Sequence, residues 1–288
     1  MNKIKYLLQF IFFFSLILIF KIIGLNFSRK ISKMIFSTLG PFIRKSKTID
    51  VNLKIAFRDI DQNQRKQIIK NMWSSYGNIF AEYIFIKNFR NKKLDQYINI
   101  EGQNILDEIK NNKKEPVIFI SGHFDNFELM AMHIEKSGID LAAIYRPLNN
   151  PYLNPLMEKI RKNYICKKQI KKGISGTKEI LKYFKTGTSI ALMIDQRVSE
   201  GIKANFFSKK ALTTTIPAQF VKKFNCKIVP VEISRHENDK FNLKIYDPIA
   251  FSKTDTIQTI TETLNNFLEK MILKNPSQWI WTHNRWKI

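Results

Sequence analysis

Cysteine and histidine are scarce in this chain, with two and four copies among 288 residues. Cys166 and Cys226 form no CxxC motif, which excludes a disulfide framework and fits a reducing compartment. No histidine is spaced with cysteines or acids as a metal centre requires, so neither a structural zinc nor another cofactor is expected. Acidic residues are short as well: 24 Asp and Glu stand against 48 Lys and Arg, leaving a formal net charge of +24. Such an excess calls for an anionic partner, whether nucleic acid, membrane, acidic protein or phosphorylated substrate. The chain has no RNP-type motif, zinc finger or helix-turn-helix, so no nucleic acid is expected. Repeats, low-complexity tracts and long Ser/Gly/Pro linkers are missing too, and a 44% hydrophobic composition supports one large core.

What is present begins with an apolar run. Tyr6 to Phe20 is uncharged, flanked by Lys5 and Lys21, and extended by Ile22 to Phe27. About 20 apolar residues cross a bilayer, so this shorter stretch spans one only if Lys21 reaches back to the interface. No AxA-type cleavage site follows, which favours an uncleaved membrane anchor over residues 1–27 and a catalytic domain over 28–288. Lys3 and Lys5 precede the run, whereas Arg29, Lys30, Lys33, Arg44, Lys45 and Lys47 follow it. The heavier positive flank places the domain on the cytoplasmic side.

Chemistry concentrates in Ile118-Phe119-Ile120-Ser121-Gly122-His123-Phe124-Asp125-Asn126-Phe127-Glu128. The β-branched run after Pro116 reads as a buried strand closed by Ser121-Gly122, and Asn126 can cap a helix that runs to Gly138. His123 then sits in the loop and Glu128 in the first helical turn. From there the carboxylate can hydrogen-bond one ring nitrogen and leave the other as a base. The bland reading of His123 is a turn histidine satisfied by local backbone. Ser121 lacks a GxSxG elbow and is not expected to be a nucleophile. Two further strands end in polar residues: Ala142 to Tyr145 delivers Arg146 before Pro147, and Ile190 to Ile194 delivers Asp195, Gln196 and Arg197. In an open α/β sheet such carboxyl ends line one crevice. Arg146 can hold a phosphate or an oxyanion there, or form a structural ion pair with Asp195 or Glu128.

The remaining pattern predicts a helix around Ser28 to Leu39, an amphipathic helix from Gln62 to Phe85, and then alternating strands and helices. Strands are expected near Tyr97 to Ile100, Lys227 to Ile233 and Phe241 to Ile245. Helices are expected from Gln103, from Pro155, over Thr177 to Phe184, over Thr215 to Phe224 and over Thr256 to Leu273. This is an α/β fold, a mixed sheet flanked by helices. The lysine clusters Lys167 to Lys172 and Lys209-Lys210 read as solvated, anion-attracting faces. Phe206, Phe207, Trp279, Trp281 and Trp286 fit an acyl channel, a membrane interface or ordinary core packing equally.

The segments GHFDNFE, YRPLNNP and DQRVSEGIKANFF, the run Ala211 to Val231 and the tail PSQWIWTHNRWK together resemble the bacterial late acyltransferases of lipid A biosynthesis, the lauroyl and myristoyl transferase family. The resemblance implies a glycerolipid-acyltransferase-like fold with an N-terminal membrane anchor helix, at the inner membrane. It also implies transfer of a fatty acyl chain from acyl carrier protein to a hydroxyl on an acyl chain of a phosphorylated lipid A precursor. His123 and Glu128 match the catalytic pair, Arg146 the YRP arginine, and Asp195 and Gln196 the DQ pair. Asp125, Ser208 and Ile216 stand where the family usually has glycine. Asp125 adds a carboxylate that can raise the His123 pKa or compete for its hydrogen bond. Two alternatives are the same chemistry on another glycolipid or an aminolipid, and a non-catalytic basic membrane-binding protein.

Overall fold

The computed structural model describes residues 2–43 and 46–287. Arg44 and Lys45 of the positive flank lie outside the described residues. Helix α1 (Asn2–Ile43) is broken in direction at Gly24, whose φ of 79° and ψ of 169° leave the helical region. A side chain there would meet nothing within 4 Å, so the backbone angle rather than crowding calls for glycine. The kink falls inside the expected anchor, and helix resumes through residue 27 to Ile43. Along α1, side chains such as Leu8, Phe12, Leu18, Ile22, Phe27, Met34 and Phe42 are exposed. By length and composition this helix could cross a membrane, its most apolar 18-residue stretch having a mean hydropathy of 2.4.

Helices α2 (Ser46–Ala56), α3 (Gln62–Ile84) and the short α4 (Ile86–Arg90) follow. The α3 amino end is capped by Asp61, whose carboxylate accepts the Asn63 and Gln64 amides at 2.7 and 2.9 Å. The part of α1 beyond Gly24 packs on α3 at small residues. A Cβ on Gly77 would lie 2.5 Å from the Ser32 carbonyl oxygen, and one on Gly40 would enter the Trp73 ring.

The chain then alternates through β1 (Ile98–Glu101), α5 (Gln103–Asn111), β2 (Ile118–Ser121), α6 (Glu128–Lys136), β3 (Leu141–Tyr145), α7 (Leu153–Ile160), β4 (Lys168–Lys171), α8 (Ile174–Lys185) and β5 (Ser189–Met193). After the β6 (Ile202–Phe206) and β7 (Lys209–Thr213) hairpin come α9 (Ile216–Phe224), β8 (Ile228–Arg235), β9 (Phe241–Ile245) and α10 (Ile257–Lys274). Among the described residues seven strands form one sheet in the order β1-β9-β8-β2-β5-β3-β4, and β6 pairs β7 apart from it. Only β8 and β9 run antiparallel within the large sheet, so it is mixed but mostly parallel.

The central β2 is buried at every position, as a strand covered on both faces must be. Its partner β5 is in register with Ser121 opposite Met193. Two residues further along each chain, His123 and Asp195 therefore emerge side by side. Arg146 leaves β3, on the far side of β5 from β2.

One expectation is corrected here, and two lysine clusters gain a strand. Lys167 to Lys172 is centred on edge strand β4, with Lys167, Lys171 and Lys172 exposed. Lys209-Lys210 opens β7, joined to β6 by Phe207 and Ser208, both with positive φ (52° and 56°). That pairing of left-handed residues makes the tight reversal a two-residue hairpin needs, and it accounts for glycine being usual at the Ser208 position. Asn126 does not cap α6; its amide donates to Glu82 at 2.9 Å instead.

Because α1 and α3 touch through backbone at Gly77, Gly77→Ala should force the two helices apart. The expected loss is about 1–3 kcal/mol, read as a lowered thermal midpoint of the detergent-solubilised protein.

Candidate active site

The strand-to-helix turn after β2 holds the site. Ser121 is tied into the sheet, its hydroxyl donating to the Val231 carbonyl at 2.6 Å, so it is not free to attack. Gly122 lets the next elements close in: a Cβ there would lie 2.9 Å from the Phe124 ring and 3.3 Å from an Asp195 oxygen. Asp195 is 1% exposed and accepts three hydrogen bonds. Its Oδ2 takes the His123 backbone N–H at 2.8 Å and the Trp279 indole N–H at 2.9 Å, while Oδ1 lies 2.8 Å from His123 Nδ1.

These contacts select the imidazole tautomer with the proton on Nδ1, donated to Asp195, and an unprotonated Nε2. The Gln196 amide nitrogen approaches Nε2 only to 3.5 Å. The His123 side chain keeps 20% of its surface exposed, and the small cleft against it, about 30 Å³, is lined mainly by Met72, Tyr76 and Ile79 of α3 with Phe127, Trp279 and Ile280, and also by Ser75, Asp125, Ser277 and Gln278. The Phe127 ring stands edge-on to the imidazole at 4.8 Å.

The imidazole's hydrogen bond, expected to go to Glu128, is therefore accepted by Asp195 instead. The cause is an arginine that the motif did not reveal. Arg161, at the end of α7, donates from Nε and Nη2 to Glu128 Oε1 at 2.9 and 2.5 Å. Tyr83 lies beside this pair, its hydroxyl pKa raised by burial and by the Glu128 charge. Glu128 nonetheless lies close enough to act through space. Burial alone would lower the His123 pKa, but the Asp195 charge and hydrogen bond, with the Glu128 charge, outweigh it and raise it. For Asp195 burial pulls upward, and the charge and hydrogen bonds of His123, with Trp279, overcome it to hold the carboxyl at about 2.

Arg146 is exposed and, among the described residues, forms no ion pair with either Asp195 or Glu128. Asp125, with φ of 34°, occupies a left-handed position of the kind glycine fills readily, but its carboxylate turns away from His123 to Arg235. His283 accepts the Arg197 backbone N–H at 2.9 Å, and burial pushes its pKa down to about 4, so it serves as a neutral strut. Trp281 and Trp286 are buried and donate their indole N–H groups to the Pro276 and Phe206 carbonyls. With Trp279 and Phe206 they form core, and they are not interfacial anchors.

Comparison with known proteins decides the family. The model for bacterial lipid A biosynthesis acyltransferases matches residues 1–288. The chain belongs to that family. It is similar to the lipid A biosynthesis acyltransferase of Haemophilus influenzae, at 24% identity over 258 residues, covering 88% of this chain and 81% of that protein. It is also similar to the Escherichia coli lipid A biosynthesis lauroyltransferase (22% identity, 85% and 79% covered). The E. coli lipid A biosynthesis myristoyltransferase is similar too (20% identity, 80% and 72% covered). An acyltransferase of lipid A biosynthesis thus carries a histidine braced by a buried aspartate in an apolar cleft.

If His123 acts as a base it must do so unprotonated, and its raised pKa would then place the acid limb of the acyltransferase's kcat/KM profile above the ordinary histidine value of about 6.5. In Asp195→Asn the raising charge is gone and burial prevails, so that limb should move to lower pH. The plateau should fall by about 10³- to 10⁴-fold as the tautomer is lost. An acid limb that stays in place in this variant would show that Asp195 does not set the imidazole's charge.

Proposed function

We propose that this acyltransferase moves a fatty acyl chain from acyl carrier protein to a hydroxyl on an acyl chain of a phosphorylated lipid A precursor, with His123 as general base. The observation that carries this reading is the imidazole itself, held through Nδ1 by Asp195 with its bare Nε2 beside an apolar cleft. Nε2 takes the proton of the acceptor hydroxyl as that oxygen attacks the thioester carbonyl. The tetrahedral intermediate then collapses, the carbon–sulfur bond breaks, and the departing thiolate takes the proton back from the imidazolium. An ester forms, and no acyl-enzyme is needed.

In this scheme Asp195 fixes the tautomer, and Asp195 and Glu128 together stabilise the imidazolium. Glu128 keeps its place as the second member of the motif, with Arg161 holding its carboxylate. Gln196 borders Nε2 and helps to order the acceptor. Arg146, exposed and without an ion pair among the described residues, suits a phosphate of the acceptor or the oxyanion. The excess of lysine and arginine suits both an acidic carrier protein and a phosphorylated lipid. Residues 2–23 of α1 extend about 33 Å as helix and run against the domain, Tyr6 and Gln9 meeting Asn150 and Phe13 and Phe20 meeting Phe80, which suits an anchor at the inner membrane with the domain on its cytoplasmic face.

The test is a product assay. The enzyme in mixed micelles is incubated with acyl carrier protein thioesters of defined chain length and with phosphorylated lipid A precursors, and the lipids are read by mass spectrometry. The expected product gains one acyl group as an acyloxyacyl ester, and His123→Ala should lower turnover by about 10²- to 10⁴-fold with folding preserved. Product formed only on another glycolipid or an aminolipid would move the acceptor assignment, and undiminished turnover in His123→Ala would remove the base.

A further inference from the structure

Between His123 and Glu128 the chain passes through Asp125, and Asp125 belongs to a buried charge cluster that reaches helix α1. Arg235, the last residue of β8, stands at its centre with 8% of its side chain exposed. Its Nη1 and Nη2 donate to the two oxygens of Glu82 at 2.6 and 2.9 Å. Its Nε and Nη2 also donate to Asp125 Oδ2 and Oδ1 at 3.1 and 2.5 Å. The remaining demand of Glu82, whose side chain is fully buried, is met from two sides. Arg29 of α1 donates to Oε1 at 2.7 Å, and Asn126 donates to Oε2 at 2.9 Å. Asp239 lies 3.6 Å from Arg235 and accepts from Lys33 of α1 at 3.0 Å, so Arg29, Lys33 and Arg235 face Glu82, Asp125 and Asp239 and the charges balance.

Backbone joins the same partners. Gln278 bonds both ways with Arg235, accepting its N–H and donating to its carbonyl, each at 2.8 Å. The Gln278 carbonyl in turn accepts the Asp125 N–H at 2.8 Å. Asp125 is thus held by side chain and main chain in its left-handed conformation, with His123 two residues before it and Glu128 three residues after it.

We propose that Arg235 is a positioning residue for acyl transfer. By clamping Asp125 and Glu82 together it fixes the turn that presents His123 and Glu128, and through Arg29 it makes the segment of α1 beyond Gly24 part of that clamp. The clamp places a carboxylate at a left-handed turn position of the kind glycine fills readily. The proposal rests on the reading of His123 as the base.

The test compares Asp125→Asn, Arg235→Lys and Arg29→Met with the unaltered enzyme and with His123→Ala. Turnover is expressed per folded molecule, with the folded fraction taken from circular dichroism. Asp125→Asn keeps the shape of the side chain and removes its charge, so it should fold even where Arg235→Lys does not. A turn displaced by a fraction of an ångström should lower kcat by about ten- to a hundredfold, with KM for donor and acceptor unchanged. Arg29→Met, which touches neither the turn nor the cleft, should lower kcat in the same way, and its combination with Asp125→Asn should cost less than the product of the two. If His123→Ala is inactive while Asp125→Asn and Arg29→Met retain full kcat and only melt earlier, the cluster is scaffolding and the positioning role is wrong. If His123→Ala itself retains turnover, the base assignment fails first and the positioning role falls with it.

Discussion

The carboxylate of Asp195 is the constraint around which the site is built. A buried charge that finds no compensation is expelled or neutralised, and this one is retained because three donors from two distant stretches of chain converge on it. Meeting its demand fixes the imidazole and the loop backbone beside it, and it draws the Trp279 segment across the end of the sheet. The parallel register of β2 and β5 makes the meeting possible, since it brings the two strand ends level. The isolated bridge between Phe124 and Trp279 then closes the tail over the turn.

Much of the fold was legible because its signals are local. The expected helix Gln62 to Phe85 is α3 to within one residue, and the expected strand Phe241 to Ile245 is β9. Hydrophobic periodicity and turn chemistry act over a few residues and are written directly in the chain. What went unread depends on pairing. Strand β4 is lysine-rich and looks solvated until β3 is placed beside it, and the β6–β7 hairpin turns on Phe207 and Ser208, where no glycine marks the reversal.

The site shows the same division. His123, Asp195 and Gln196 come together because strand ends in such a sheet share one crevice, which the sequence pattern implied. The identity of the imidazole's partner was not implied. HxxxxE spacing suggests a contact between His123 and Glu128, but whether a carboxylate reaches a ring depends on what else competes for it. Here Arg161, which no motif marks, takes Glu128, and strand order delivers Asp195 in its stead. Glu82 did leave a trace, as a lone acid within the apolar stretch Asn78 to Ile86, and a buried acid of that kind requires a cation. Its partners Arg29 and Arg235 are so far away in the chain that only the folded arrangement names them.

The lysines of β4 also bear on how the molecule behaves in a crowd. One border of the large sheet is this strand, whose unpaired backbone groups offer a template for any other extended segment. Lys168 and Lys171 are paired to Asp140 and Glu158, but Lys167 and Lys172 stand exposed at either end, and like charges there make a second copy of the same border a poor match. The cationic excess thus also disfavours the pairing of two such borders.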